Sequence, residues 1–330
     1  MTLGRLLLLL SLVLLALADL LLGTVSLDFA DVVRGLFAGE VDEIVRMILW
    51  DYRLPKMLTA LLVGVALPTS GLLMQSLFQN PLAGPYVLGI SSGASLGSAL
   101  VLMLGGWYWV SAMPLGVAGA ASLGAAGVLL ILLLVAQRTQ SRYALLVVGL
   151  LLSVGCAAGV TLLQAMSADA ALRNFVVWTM GSLAGVEGQE LLILSLATLL
   201  GWGIGYSCAR ALNLLQLGIA HATTLGLEVR RTYGLLFLAT GLLAGTTTAF
   251  CGPIGFVGIA IPYLARRFMH SADHRILLWV TPLFGACGML VVDILSSLLA
   301  RWVALPLNAT LALLGIPLVL QMVLGKKNVR

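Results

Sequence analysis

Residues 80–97 read Asn-Pro-Leu-Ala-Gly-Pro-Tyr-Val-Leu-Gly-Ile-Ser-Ser-Gly-Ala-Ser-Leu-Gly and lie between two long apolar runs. Asn80-Pro81 and Pro85 open the stretch, and Gly89, Gly93 and Gly97 then recur four residues apart. That spacing puts three glycines on one helix face, and in a membrane a glycine face lets another helix approach closely. The proline-rich start suits a broken or re-entrant helix, whose irregular backbone is tolerated at membrane depth where it is buried in protein or lines a polar path. Helix packing and the lining of a pathway both remain open for these glycines.

Composition places the stretch in a membrane. Of 330 residues, 61% are hydrophobic and 9% charged, with a mean hydropathy of +1.09; too few polar side chains are present to cover a soluble globule. Apolar runs of about 20 residues, enough to cross ~30 Å of hydrocarbon, fall near 6–24, 57–77, 84–105, 112–135, 143–166, 190–208, 232–250, 253–268, 276–300 and 306–324. The expected fold is one all-α polytopic membrane domain, residues 1–330, with about ten spans. The first run follows Arg5 and resembles a signal peptide, but it lacks a clear small-x-small cleavage site and reads as a retained helix. Cys156, Cys208, Cys251 and Cys287 have neither paired nor metal-ligand spacing. They read as packing residues, and no bound cofactor is implied.

Counting Lys and Arg in the connections gives the orientation. One set holds twelve (Arg5, Arg138, Arg142, Arg210, Arg230, Arg231, Arg266, Arg267, Arg275, Lys326, Lys327, Arg330) and the other six (Arg34, Arg46, Arg53, Lys56, Arg173, Arg301). Both termini are therefore expected in the cytoplasm. Outside, residues 27–52 carry Phe29, Val32, Val33, Leu36 and Phe37 at helical spacing and are expected to lie along the membrane surface. Inside, residues 212–231 alternate two short helical turns with breaks at Gly218 and Gly226, a hairpin able to present a knob to a partner. A second inner connection gathers Arg266, Arg267, His270, Asp273, His274 and Arg275 and reads as a solvated basic cap. Within the spans, Asp293 is expected to be buried and hydrogen-bonded, while Asp19 is expected to reach the interface.

Tyr-Arg-Leu-Pro-Lys at 52–56, Ser-Gly-Leu-Leu-Met-Gln at 70–75, Asn-Pro-Leu-Ala-Gly-Pro at 80–85 and Leu-Gly-Ile-Ser-Ser-Gly-Ala-Ser-Leu-Gly at 88–97 resemble the permease subunits of ABC importers for iron-siderophores, haem and vitamin B12. The likeness continues through Ala222–Leu227, Gly252–Gly258, Ile261-Pro262, Asp273-His274-Arg275 and Leu305-Pro306, over essentially the whole chain.

The resemblance implies a type II ABC importer permease in the bacterial inner (cytoplasmic) membrane. It also implies a homodimer, two cytoplasmic ATP-binding subunits and an extracytoplasmic substrate-binding protein, with membrane lipid around it and no nucleic acid. The chain lacks a Gly-x4-Gly-Lys-Ser/Thr phosphate loop, so ATP hydrolysis is expected on another chain. By family position, Arg53 and Lys56 dock the binding protein; the family's Arg four residues after its Asp is replaced here by Ser297, and Arg301, one helical turn further on, is the expected geometric substitute. Leu217, Gly218, His221, Ala222, Thr224, Leu225 and Gly226 match the ATPase-coupling segment, in which Ile219 replaces a common acidic residue. Asn80 and Leu82, with Thr139, Gln140 and Ser141, match the cytoplasmic gate. Gly89, Gly93, Gly97 and Asp293 are assigned to packing or pathway. Ferric siderophore is the first-ranked cargo, with haem and cobalamin next. The alternative is an ion-gradient-driven secondary transporter, which would call for more intramembrane charge than Asp293 supplies.

Overall fold

In hydrocarbon every backbone N–H and C=O must be paired inside the protein, and an α-helix does this within one segment. A computed structural model describes residues 2–23, 25, 27–37, 41–104, 116–139, 141–300, 302 and 305–324. Among these the secondary structure is helical, with no strand. The elements are α1 (Thr2–Leu21), α2 (Phe29–Phe37), α3 (Glu43–Phe78), α4 (Ile90–Leu104), α5 (Gly116–Arg138), α6 (Arg142–Met166) and α7 (Asp169–Thr179). After them come α8 (Gly188–Ser207), α9 (Ala209–Gln216), α10 (Ile219–Thr224), α11 (Val229–Cys251), α12 (Val257–Met269), α13 (His274–Leu299) and α14 (Leu307–Leu324).

Each of the ten apolar runs holds a helix. Six of these helices, α3, α5, α6, α8, α11 and α13, are long and apolar enough to cross a membrane; α1, α4, α12 and α14 contribute shorter apolar helices. The connections collect at two ends of the bundle. The end carrying α9 and α10 is here the inner end, and the end where α1 meets α3 the outer one.

Two expectations change. Residues 27–52 are not one surface segment: α2 lies apart, but Glu43–Phe78 is a continuous helix. Pro55 has no N–H to donate, and the backbone passes that gap through a π-helical stretch at Ile48–Arg53. Trp50 Nε1 donates to Gly35 O at 3.1 Å, fastening α2 to this extension. Gly89, in turn, is not on the glycine face of a helix. A short 3₁₀ turn, Pro85–Leu88, ends at Gly89, whose φ of +77° suits glycine, and α4 starts only at Ile90. The broken entry into this span is as expected; the helical face consists of Gly93 and Gly97.

These two glycines pack. A Cβ on Gly93 would lie 2.5 Å from Gly124 O, and one on Gly97 2.1 Å from Ala120 O, so α4 meets α5 backbone to backbone. Helix α3 makes the same type of contact twice. A Cβ on Gly64 would stand 2.5 Å from Gly285 O of α13, and one on Gly71 1.7 Å from Gly258 O of α12. α3 thereby sits at the centre: Met57, Ala60, Val63 and Leu67 belong to an outer core with Leu290 and Ile254, whereas Leu72, Leu73 and Leu77 belong to an inner core with Leu215, Tyr233 and Leu277. Asn308, at the start of α14, donates to Thr179 O (3.1 Å) and Pro253 O (2.6 Å) and accepts from Gly255 N (3.3 Å), closing the outer end. Helix α6 turns Leu150, Leu151, Val154 and Leu162 outward.

Gly64→Ala is expected to destabilise the protein by ~1–3 kcal/mol through overpacking, read as a lower melting temperature in detergent. Gly155→Ala, where nothing lies within 4 Å of the new methyl, is expected to stay within about 0.5 kcal/mol of the original.

Candidate functional site

The inner hairpin is shaped by glycine. Helix α9 ends at Gln216, and Gly218 turns the chain with φ +97° before α10 begins at Ile219; Gly226 turns it again with φ +84°. A residue with a Cβ is strained in that region. Ala222 is buried beneath α10, while Leu217 and Leu225 are 60% and 61% exposed on either side. His221 and Thr224 are also exposed. Two bare leucines flanking a short rigid helix form a knob fit for an apolar recess.

Both proposed gate loops are tied to this hairpin. Asn80 Oδ1 accepts from Leu82 N at 3.0 Å, an Asx turn that exposes Leu82. Thr139 Oγ1 accepts from Ser141 N at 3.1 Å, and Ser141 Oγ caps α6 by accepting from Ala144 N at 3.3 Å. Gln140 lies outside the described residues. The residue before the first loop, Gln79, donates through Nε2 to Leu215 O at 2.8 Å. The residue after the second, Arg142, donates through Nη2 to the same carbonyl at 3.2 Å. Leu215 is in the last turn of α9, where carbonyls lack intrahelical partners and carry partial negative charge. Gln79 and Arg142 escaped the sequence reading because the carbonyl joining them is more than 70 residues from either.

The Arg266–Arg275 connection is not wholly a solvated cap. His274 is fully buried, with Nδ1 2.7 Å from Asn213 Oδ1 and Nε2 2.5 Å from Ser76 Oγ. Asn213 Nδ2 donates to Asp273 Oδ1 at 2.7 Å, and Asp273 also caps α13 by accepting from Arg275 N at 2.9 Å. These hydrogen bonds, that from Asn213 foremost, hold the Asp273 carboxyl below the ordinary aspartate range.

At the outer end, Lys56 Nζ lies 2.7 Å from Asp293 Oδ1 and donates to Ser297 Oγ at 2.8 Å. Asp293 is buried as expected. Asp19 lies at the outer end as expected but is not turned to the surroundings: it is only 7% exposed and lines the same cleft as Lys56 and Asp293. A hydrophobic last turn is compatible with either position, and nothing local to Asp19 signals a partner on α13. Arg53 is 8% exposed, and its guanidinium donates to the carbonyls of Leu20 and Val25 at the end of α1. The two cations expected on a docking rim are thus engaged within the chain. They line a cleft of about 370 Å³ together with Asp19, Ser182, Asp293 and Ser297. Arg301 lies outside the described residues.

The chain matches the FecCD transport family over residues 8–325. It is 38% identical to the hemin transport system permease protein HmuU of Yersinia pestis, covering 98% of this chain and 96% of that one. It is 37% identical to the vitamin B12 import system permease protein BtuC of Klebsiella pneumoniae, over 86% and 84% of the two chains. Among solved structures, an inward-facing conformation of a metal-chelate type ABC transporter superposes with a TM-score of 0.84 at 32% identity, covering 97% of each chain. PsaBC from Streptococcus pneumoniae, at 13% identity and a TM-score of 0.56, shares the fold. A helical bundle with this broken fourth helix and inner hairpin, matched along nearly its entire length, belongs to the FecCD transport family of ABC importer permeases.

Proposed function

We propose that two copies of this chain form the pathway of an ATP-driven importer that takes a bulky metal chelate into the cytoplasm. A substrate-binding protein delivers the chelate to the outer end, and two ATP-binding subunits hydrolyse ATP at the inner end. The termini are cytoplasmic, in keeping with the excess of Lys and Arg in the inner connections. The single observation that carries the mechanism is the Leu215 carbonyl, bonded at once to Gln79 and Arg142. A push on Leu217 and Leu225 moves α9, and α9 draws on both loops that we assign to the gate. Bulky side chains such as Leu82 can close a passage to a large solute, and small helix shifts then suffice to open it.

The cargo is haem, cobalamin or a ferric siderophore. Relatives named for hemin and vitamin B12 stand on a par at 38% and 37% identity, and the siderophore ranked first by resemblance belongs to the same class of bulky chelates. The complex in lipid vesicles, given each chelate in turn, is expected to couple uptake of one of them to ATP hydrolysis. Uptake indifferent to ATP but driven by an ion gradient would overturn the importer reading.

Docking is assigned to the outer face around the Lys56 cleft. Lys56, with 19% of its side chain exposed, is the cation of the pair within reach of an acidic partner, and Arg53 shapes the lip by holding the end of α1. Charges at such a rim chiefly set association rate. Lys56→Gln is therefore expected to slow association of the binding protein severalfold at low salt and much less at high salt, measured by surface plasmon resonance.

Replacing both Gln79 and Arg142 by Ala is expected to lower uptake per ATP hydrolysed by roughly tenfold, the equivalent of ~1.4 kcal/mol, about one net hydrogen bond. Wild-type stoichiometry in that variant would sink the gate linkage.

A further inference from the structure

We propose that Asn213, acting through His274, is a positioning residue for ATP coupling: it fastens the hairpin to three transmembrane helices through one hydrogen-bond chain whose links all run in the same direction. The inference rests on the importer reading and adds to it the part that holds the hairpin in register.

The direction follows from donor and acceptor chemistry. Asn213 has one possible amide orientation. Its Oδ1 faces the backbone N–H of His274 at 2.9 Å, and its Nδ2 faces the Asp273 carboxylate at 2.7 Å; a flipped amide would set donor on donor and acceptor on acceptor at both places. An amide oxygen can only accept, so His274 Nδ1, 2.7 Å away, carries the ring proton. Gln216 Nε2, 3.1 Å from the same ring nitrogen, instead donates to Ala272 O at 3.0 Å. In the neutral ring Nε2 is then an acceptor; the Ser76 hydroxyl also approaches Leu72 O of its own helix at 2.8 Å, but its one proton goes to Nε2 at 2.5 Å, where two lone pairs would otherwise face each other. Ser76 Oγ in turn accepts from Arg266 Nη2 at 3.3 Å.

The chain therefore runs from Arg266 to Ser76, to His274, to Asn213 and to Asp273, from a cation to a carboxylate. It joins α12, α3 and α13 to α9. Links that share a direction polarise one another, and charged ends strengthen them. Ser76 and His274 are buried, so water cannot readily replace a lost link. Asn213 is the sole member contributed by the hairpin. With the chain intact, displacement of α9 is passed to α3, α12 and α13 together; with it cut, α9 keeps its bonds through the Leu215 carbonyl and Gln216 but loses its hold on the buried end of α13, and transmission weakens.

The test uses the permease in lipid with its ATP-binding subunits and binding protein. It reads co-purification of the subunits, ATP hydrolysis and uptake per ATP. Asn213→Asp keeps the acceptor for His274 but sets a carboxylate against Asp273; uptake per ATP is expected to fall about tenfold or more while hydrolysis continues. Asp273→Asn preserves the helix cap, since asparagine caps as well as aspartate, and is expected to stay within about threefold of wild type. The double variant exchanges the two groups at unchanged net charge: in the wild type Asp273 Oδ1 serves both Asn213 and Arg275 N, so the new amide at 273 must turn about χ2 to offer its nitrogen to the carboxylate on α9 while its oxygen keeps the cap, and that carboxylate still accepts from His274. Its coupling is expected to return to within about threefold of wild type. Wild-type coupling in Asn213→Asp overturns the proposal. A double variant no better than Asn213→Asp also overturns it, and decides the matter if Asn213→Asp alone fails to assemble. Absence of ATP-dependent uptake in the wild-type complex would instead count against the importer reading.

Discussion

The seam between α3 and α13 sets the register of the bundle. The helices run antiparallel and meet at Lys56 with Asp293, at Gly64 with Gly285 and at Ser76 with His274. Twenty residues of helix separate Lys56 from Ser76, about 30 Å at 1.5 Å per residue, which is the thickness of the hydrocarbon layer. Polar contacts thus close the seam at both interfaces, and between them two backbones touch without intervening side chains. Lipid gives no hydrophobic drive for helices to associate, so close packing and polar contacts must do it. A slip by one residue would drive a Cβ into a carbonyl at Gly64 or Gly285 and part the polar pairs at both ends.

Other elements take their places from this seam. Arg53, one turn before Lys56, holds the end of α1, and Asp19 of α1 joins the Lys56 and Asp293 cluster. At the opposite end Gln79, one turn after Ser76, reaches Leu215. The chain leaves α3 through a left-handed residue, Gln79 with φ +49°, a strained conformation for a side chain with a Cβ. Its hydrogen bonds to α9 hold it there. The loop that follows is thus oriented by the hairpin as much as by the helix it leaves.

Sequence periodicity and length revealed the spans because crossing ~30 Å of hydrocarbon imposes a minimum run of apolar residues. Glycine revealed the hairpin turns, since Gly218 and Gly226 occupy positive φ. Gly89 was misplaced because regular spacing cannot separate a glycine within a helix from one that starts it. Asp19 was read as reaching the interface and His274 as part of a solvated cap, while Ser76 and Asn213 were not singled out, and for one reason. Each has its partner on a helix distant in sequence, and polar residues near a span end look alike whether they face water or one another. Arg53 and Lys56 illustrate the same limit: their charge was legible, but their engagement with α1 and α13 depends on tertiary packing.

The two ends of the seam differ in kind, and that difference suits a lever. Lys56 offers a flexible ammonium, a point charge whose attraction to a carboxylate tolerates rotation. The inner end is built from hydrogen bonds, which weaken steeply once the donor angle departs from linear. A small tilt of α13 against α3 can therefore keep the outer ion pair, while at the inner end the directional links make the helix ends and α9 move together instead of absorbing the tilt. Motion is then cheapest about the outer contact and largest at the inner end, where the hairpin and the proposed gate lie. The glycine contacts lie between: they resist separation, and the neighbouring carbonyls block a slip along the seam, so tilt is the movement left to the pair.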